Sequence, residues 1–115
     1  KPLNSGESED VIKVKDLVID TIAKKITLRG EEVKVTATEY KILHLLASNL
    51  GKVFTKKQIY ENVWEEMYIG DSNNIMVHLS HLREKVEDDP KNPIYIKTIR
   101  GIGYKIERIT TNENS

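Results

Sequence analysis

The 115-residue chain contains no cysteine. Disulfide scaffolds, thiolate catalysis and cysteine-ligated zinc fingers are therefore excluded together, and a reducing compartment is permitted. No apolar run approaches the ~18 residues of a membrane-spanning helix, and the polar N-terminus lacks the apolar core of a signal peptide. A net charge is also missing: 18 Lys and Arg balance 18 Asp and Glu. Nucleic-acid binders often carry a basic excess, so any affinity of this kind must come from local placement of cations. Even residues 72–115 hold only seven basic side chains against six acidic ones. No Ser/His/Asp or Cys/His pattern is visible. Gly101-Ile102-Gly103 is not a dinucleotide loop, because it precedes a strand and the third glycine is missing. The chain is read as no enzyme, with no cofactor.

What remains is one domain's worth of sequence, 38% hydrophobic and 31% charged, enough for one modest core. Residues 1–10 are polar, hold Pro2 and Gly6 and show no apolar period, which predicts a linker. The absence of an initiating Met predicts a fragment of a longer protein. Residues 11–109 form the expected domain, and 110–115 a polar tail. Short strand-like runs at Val11–Val14, Leu17–Asp20, Lys25–Arg29 and Glu32–Val35 are separated by Lys15-Asp16, by 21–24 and by Gly30-Glu31. They predict an antiparallel meander of four strands.

Three helices follow. Thr36-Ala37-Thr38-Glu39 is a Thr-x-x-Glu capping box, opening a helix with Tyr40, Leu43, Leu46, Ala47 and Leu50 on one side, and Gly51 stops it. Thr55-Lys56-Lys57-Gln58 opens a second, with Ile59, Val63 and Trp64 inward. Ser72 can cap the third, whose Ile75, Leu79, Leu82 and Val86 form a single stripe at four-three-four spacing. With Ile75 at zero, Asn73, Val77, Ser80 and Glu84 fall at about 140–200° around the helix, and His81, Asn74 and His78 at about 240–300°. That outward face is small, polar and hydrogen-bonding. Asp88-Asp89-Pro90 ends the helix, and the Glu87-Asp88-Asp89 run reads as its solvated end.

The chain closes with two apolar runs, Ile94–Ile99 and Tyr104–Ile109, around Arg100-Gly101-Ile102-Gly103. Two glycines one residue apart describe a tight hairpin whose tip needs a positive φ or a close backbone approach, and a positive φ is expected at Gly103. The fold class expected is α+β: a winged helix-turn-helix with an N-terminal four-stranded antiparallel sheet, a three-helix bundle and a C-terminal β-hairpin wing. A cation-tipped ribbon beside a polar-faced helix suits double-stranded DNA, with the helix in the major groove and the tip in the minor groove.

At this level of detail the sequence resembles the C-terminal effector domain of an OmpR/PhoB-type response regulator. The resemblance runs from about Val11 to Arg108. It rests on Val35-Thr36-Ala37-Thr38-Glu39-Tyr40, the Val63-Trp64 helix end, Val77-His78-Leu79 through Leu82-Arg83, and Arg100-Gly101-Ile102-Gly103-Tyr104. It implies that Asn73, Asn74, Val77, His78, Ser80, His81 and Arg83 meet bases and phosphates. Thr98, Arg100, Gly101, Gly103 and Tyr104 would form the wing's contact with phosphates and minor groove, and Trp64 would border the backbone. Glu65, Glu66, Met67, Tyr68, Ile69, Gly70 and Asp71 occupy the loop that touches RNA polymerase in activators of this family. The resemblance further implies a cytoplasmic regulator within a phosphorelay. Its receiver domain, not contained in this chain, would be phosphorylated by a histidine kinase. Two effector domains would then sit on a direct-repeat operator, the isolated domain being monomeric and the full-length protein dimeric on DNA. Several relatives carry arginine where this chain has Asn73, Ser80 and His81, which implies weaker electrostatic anchoring and different base preferences.

Each candidate also has a plainer reading. Arg100 could be a surface charge paired with Glu107. His78 and His81, three residues apart, lack a cysteine or third ligand, so neutral imidazoles bonding phosphate or base edges are expected there and no metal. His44, among Leu43, Leu45 and Leu46, is expected to be structural. Asn73 and Asn74 could be helix-start residues or adenine readers. The alternative for the whole domain is a winged-helix module that binds a protein through the third helix without binding DNA.

Overall fold

The computed structural model describes residues 11–64 and 73–107, with the side chains of Asn73 and Asn74 excepted. The first four strands are β1 (Val11–Val14), β2 (Leu17–Asp20), β3 (Lys25–Leu28) and β4 (Glu31–Val33). They pair antiparallel in chain order, with Leu17 opposite Leu28 and Ile19 opposite Ile26. Alternation puts Val14, Leu17, Ile19 and Ile26 on the buried face. Tight turns set the register. Lys24 adopts a positive φ, and Asp20 Oδ1 accepts hydrogen bonds from the Ile22 and Ala23 amides at 3.0 Å, an Asx turn. The β3–β4 turn lies one residue earlier than expected. Arg29 joins Gly30 in the left-handed region, at φ 52° and 84°, so Leu28 pairs directly with Glu31 across a two-residue loop.

Helix α1 (Ala37–Ala47) is capped as its sequence dictates: the Glu39 amide donates to Thr36 Oγ1 and the Thr36 amide to Glu39 Oε1. Gly51 follows it with φ 86°. Helix α2 (Lys56–Trp64) begins with the same reciprocal pair between Thr55 and Gln58. Helix α3 (Asn73–Val86) buries Ile75, Leu79, Leu82 and Val86 to 1% exposure or less. They pack with Ile42, Leu43 and Leu46 of α1 and Ile59 of α2. The expected cap Ser72 lies outside the described residues. Each such aliphatic side chain contributes roughly 1.5–3 kcal/mol by leaving water.

The hairpin is shorter than its apolar runs: β5 is Ile96–Ile99 and β6 is Gly103–Ile106. Its entry is organised by Glu87, which corrects the expectation of a solvated helix end. Glu87 is buried, and its carboxylate accepts hydrogen bonds from the backbone amides of Ile94, Tyr95 and Ile96 at 2.8–3.2 Å. Those amides therefore point at the residue that follows α3, where they cannot join a strand ladder. Phe54 adds a third, one-residue strand, exchanging two 2.8 Å backbone hydrogen bonds with Tyr104. Among the described residues no helix is long and apolar enough to cross a membrane.

Candidate nucleic-acid interface

Burying one stripe of α3 turns the opposite stripe outward. Met76, Val77, Ser80, His81 and Glu84 are exposed, Met76 and Val77 each to 49%. The face is as expected at Val77, Ser80 and His81, but Met76 was not foreseen there. Its position, about 100° from Ile75, lies just beyond the arc chosen from the sequence.

The two cations in the last turn of α3 both turn back into the protein. Arg83 Nε and Nη2 donate to the Ile96 carbonyl at 3.2 and 2.8 Å, and Nη2 also to Thr98 Oγ1 at 2.7 Å. The guanidinium lies 5.9 Å from the Tyr104 ring centroid. Arg83 thus fastens α3 to the hairpin. Lys85 donates to Glu39 Oε1 at 2.6 Å, across to the first turn of α1. Burial alone would raise the Glu39 carboxyl. The Lys85 and Thr36 hydrogen bonds, with the charges of Lys85 and His81, outweigh it and hold the group below the usual glutamate value. His81 Nδ1 lies 3.8 Å from Glu39 Oε2 while its ring stays 55% exposed. The half-buried His78 sits 5.8 Å from the Trp64 ring, and its Nδ1 has no hydrogen-bond partner among the described residues. Trp64 in turn stacks on Tyr60 at 4.8 Å. His44 stacks on Tyr40 at 5.7 Å and lies 3.4 Å from Ser48 Oγ, the structural role expected of it.

At the wing the turn Ile99–Ile102 closes through a 2.9 Å hydrogen bond from the Ile102 amide to the Ile99 carbonyl. Gly101 supplies φ 76°, and Arg100, Gly101 and Ile102 are exposed. Glu107 pairs with Lys105 at 3.1 Å, so it does not hold Arg100, which makes no hydrogen bond or ion pair to another described residue. Gly103 is required for a different reason than the positive φ expected of it. A Cβ there would sit 2.0 Å from the Phe54 carbonyl oxygen and 2.9 Å from Thr55 Cα. Gly103 and Tyr104 are both buried, so they support the wing from beneath, and its exposed tip is residues 100–102. Thr98 is exposed, but its hydroxyl is occupied by Arg83.

Lys56 and Lys57, at the start of α2, line one cleft with Thr98, Gly101 and Ile102 of the wing. This pair was also missed, although its place behind the Thr55 cap was legible and made both residues first-turn surface candidates. Helix α3 begins at Asn73 and Asn74, and residues 65–71, expected at RNA polymerase, lie outside the described residues. Among the described residues no group of three or more His, Cys, Asp or Glu is placed to hold a metal.

Comparison with known proteins agrees with this fold. Residues 30–106 match the family described as "Transcriptional regulatory protein, C terminal". The chain is 52% identical over 96 residues to the uncharacterized transcriptional regulatory protein YcbL of Bacillus subtilis, a match spanning 84% of this chain and 42% of YcbL. It resembles the Thermotoga maritima response regulator DrrB, an OmpR/PhoB homologue, with 33% identity and a TM-score of 0.79. That match covers 90% of this chain and 46% of DrrB. The Klebsiella pneumoniae RstA DNA-binding domain, solved in complex with the RstA box, aligns with the same TM-score at 28% identity, covering 86% of this chain and 98% of that domain. With its meander, three helices and wing, the chain belongs to the family of C-terminal domains of transcriptional regulatory proteins, the winged-helix effector domains of OmpR/PhoB-type response regulators.

Proposed function

We propose that this domain binds double-stranded DNA, with the exposed face of α3 in the major groove and Arg100 at the adjacent minor groove. The observation that carries this reading is the Arg83 clamp. Its hydrogen bonds to Ile96 and Thr98 join recognition helix and wing into one body. An exposed arginine, without an ion pair among the described residues, then stands on a turn at a fixed offset from that helix. A narrow A·T minor groove concentrates negative potential and attracts such a side chain. Lys56 and Lys57 supply further positive charge beside the wing, and the similar RstA domain was solved on its own DNA box. Of the expected contacts, Val77, Ser80 and His81 stand exposed for this role, with Asn73 and Asn74 at the start of the same helix.

The chain spans about two-fifths of YcbL, and we read it as the output half of a two-component regulator in the cytoplasm. In this reading a kinase acts on a receiver domain, and two effector domains occupy a direct repeat. Pairing two modules raises effective concentration, and so affinity, without new contacts. The segment 65–71 is proposed to meet RNA polymerase. Hydroxyl-radical footprinting on a selected duplex tests the docking. Protection is expected in one minor groove flanking each half-site, and Arg100→Ala should remove it while costing about 1–3 kcal/mol of affinity. Unchanged protection and affinity in that variant would take the wing out of the contact.

A further inference from the structure

The exposed face of α3 is unusual in what it offers a base pair. Among the described residues, both of its permanent cations are engaged within the protein: Arg83 with Ile96 and Thr98, Lys85 with the buried Glu39. Both groups are thereby tethered to the protein and not free to swing toward guanine O6 and N7, the commonest specific contact in the major groove. The exposed carboxylate of Glu84 on the same face repels those two acceptors further. Beside the hydrogen-bonding Ser80 and His81 stand Met76 and Val77, adjacent in sequence, half-exposed and apolar. They are the fourth and fifth residues of a helix that starts at Asn73. In helix-turn-helix docking the N-terminal part of the recognition helix is the part that meets base edges. The only apolar group on a major-groove base edge is the C5-methyl of thymine.

We infer that α3 reads thymine methyl groups in its operator, with Met76 and Val77 as the side chains that determine this part of its specificity. The inference rests on the placement of α3 in the major groove proposed above and adds to it the class of base that is read. Burying one methyl is worth about a four-fold change in affinity. Two thymines contacted in this way per half-site distinguish it from cytosine, which presents no methyl at that position.

The test starts from duplexes retained by the whole chain from a randomised pool. Each thymine of the selected site is then replaced singly by deoxyuridine, which removes the methyl and keeps every hydrogen-bonding group. One or two positions are expected to lose roughly four-fold in affinity. Met76→Ala and Val77→Ala, both exposed changes, should each abolish the penalty at one of those positions. Replacing guanine by 7-deazaguanine should cost less than the sensitive deoxyuridine. Indifference to deoxyuridine at every position, or an undiminished penalty in both variants, would overturn the inference while leaving DNA binding intact. Failure to retain any duplex would overturn the parent reading with it and point instead to an apolar protein partner for Met76 and Val77.

Discussion

At Gly103 an added methyl group would stand 2.0 Å from the Phe54 carbonyl oxygen, whereas at Gly101 it would meet nothing within 4 Å but would have to accept φ 76°. The two glycines of the wing therefore fail differently when replaced. Gly101→Ala should cost about 1–2 kcal/mol, the ordinary penalty of a left-handed residue. Gly103→Ala must push the Phe54 strand off the hairpin and lose its two 2.8 Å hydrogen bonds. It should cost more than Gly101→Ala and disturb the hairpin itself. Urea denaturation of the two variants checks the order. A milder effect at Gly103 would mean that the backbone approach is not as close as described. The pattern Gly-x-Gly was visible in the sequence, but the reason for its second glycine was not. That reason lies in Phe54, 49 positions away, which nothing local to the hairpin reveals.

A second residue-scale consequence concerns Glu39. Its carboxyl is held below the usual glutamate value in the folded protein, so the folded state binds fewer protons than the unfolded chain near that value. The stability it contributes is present above the unfolded value, about pH 4.3, and is lost as pH falls through the lowered folded value. Denaturation midpoints followed from pH 6 to 3 should fall more steeply in the wild type than in Glu39→Gln, which cannot titrate. Parallel profiles would show that Lys85 and Thr36 do not stabilise the charged form.

At the scale of elements, α3 has two faces whose substitutions should separate cleanly. Leu79→Ala and Leu82→Ala remove side chains buried to 1% or less and should lower stability by roughly 2–5 kcal/mol. Ser80→Ala, on the exposed face, should change stability by less than about 0.5 kcal/mol and act on operator preference instead. Thermal or chemical denaturation of the three variants, with a competition binding assay for the last, checks the rotation of the helix. Large stability losses at Ser80 would mean that α3 is turned from the orientation described. This face was legible because a four-three-four apolar stripe fixes helix rotation from sequence alone. The capping boxes at Thr36 and Thr55 were legible for the same reason, since both partners lie within one turn. The fates of Arg83, Lys85 and Glu87 were not. Arg83 and Glu87 bind backbone groups of β5 and its entry, and Lys85 binds a carboxylate 46 residues away in α1, so packing of elements decides all three.

On the scale of the whole molecule, the N-terminal sheet is tied to the region after α3. The Asp16 amide donates to the hydroxyl of the buried Tyr95, and Arg29 meets Asp88 at 2.8 Å. The second pair is largely exposed and worth little by itself. It nevertheless removes a cation and an acid from the free charge of the surface, as Lys105 with Glu107 does at the wing. A molecule with no net charge can in this way leave Lys56, Lys57 and Arg100 grouped around one cleft and one turn. The neutral composition, which argued against DNA from sequence alone, therefore concerns the total and not its distribution.

That distribution is open to one direct measurement: the affinity of the chain for a selected duplex, titrated from 50 to 200 mM salt. Three cations held against the duplex, Lys56 and Lys57 at phosphates and Arg100 at the minor groove, release about as many counterions, so log K should fall against log salt with a slope near −3, roughly fifty-fold over that range. A slope near zero, with affinity retained, would contradict binding through these cations and leave α3 and the wing as a surface for an apolar partner.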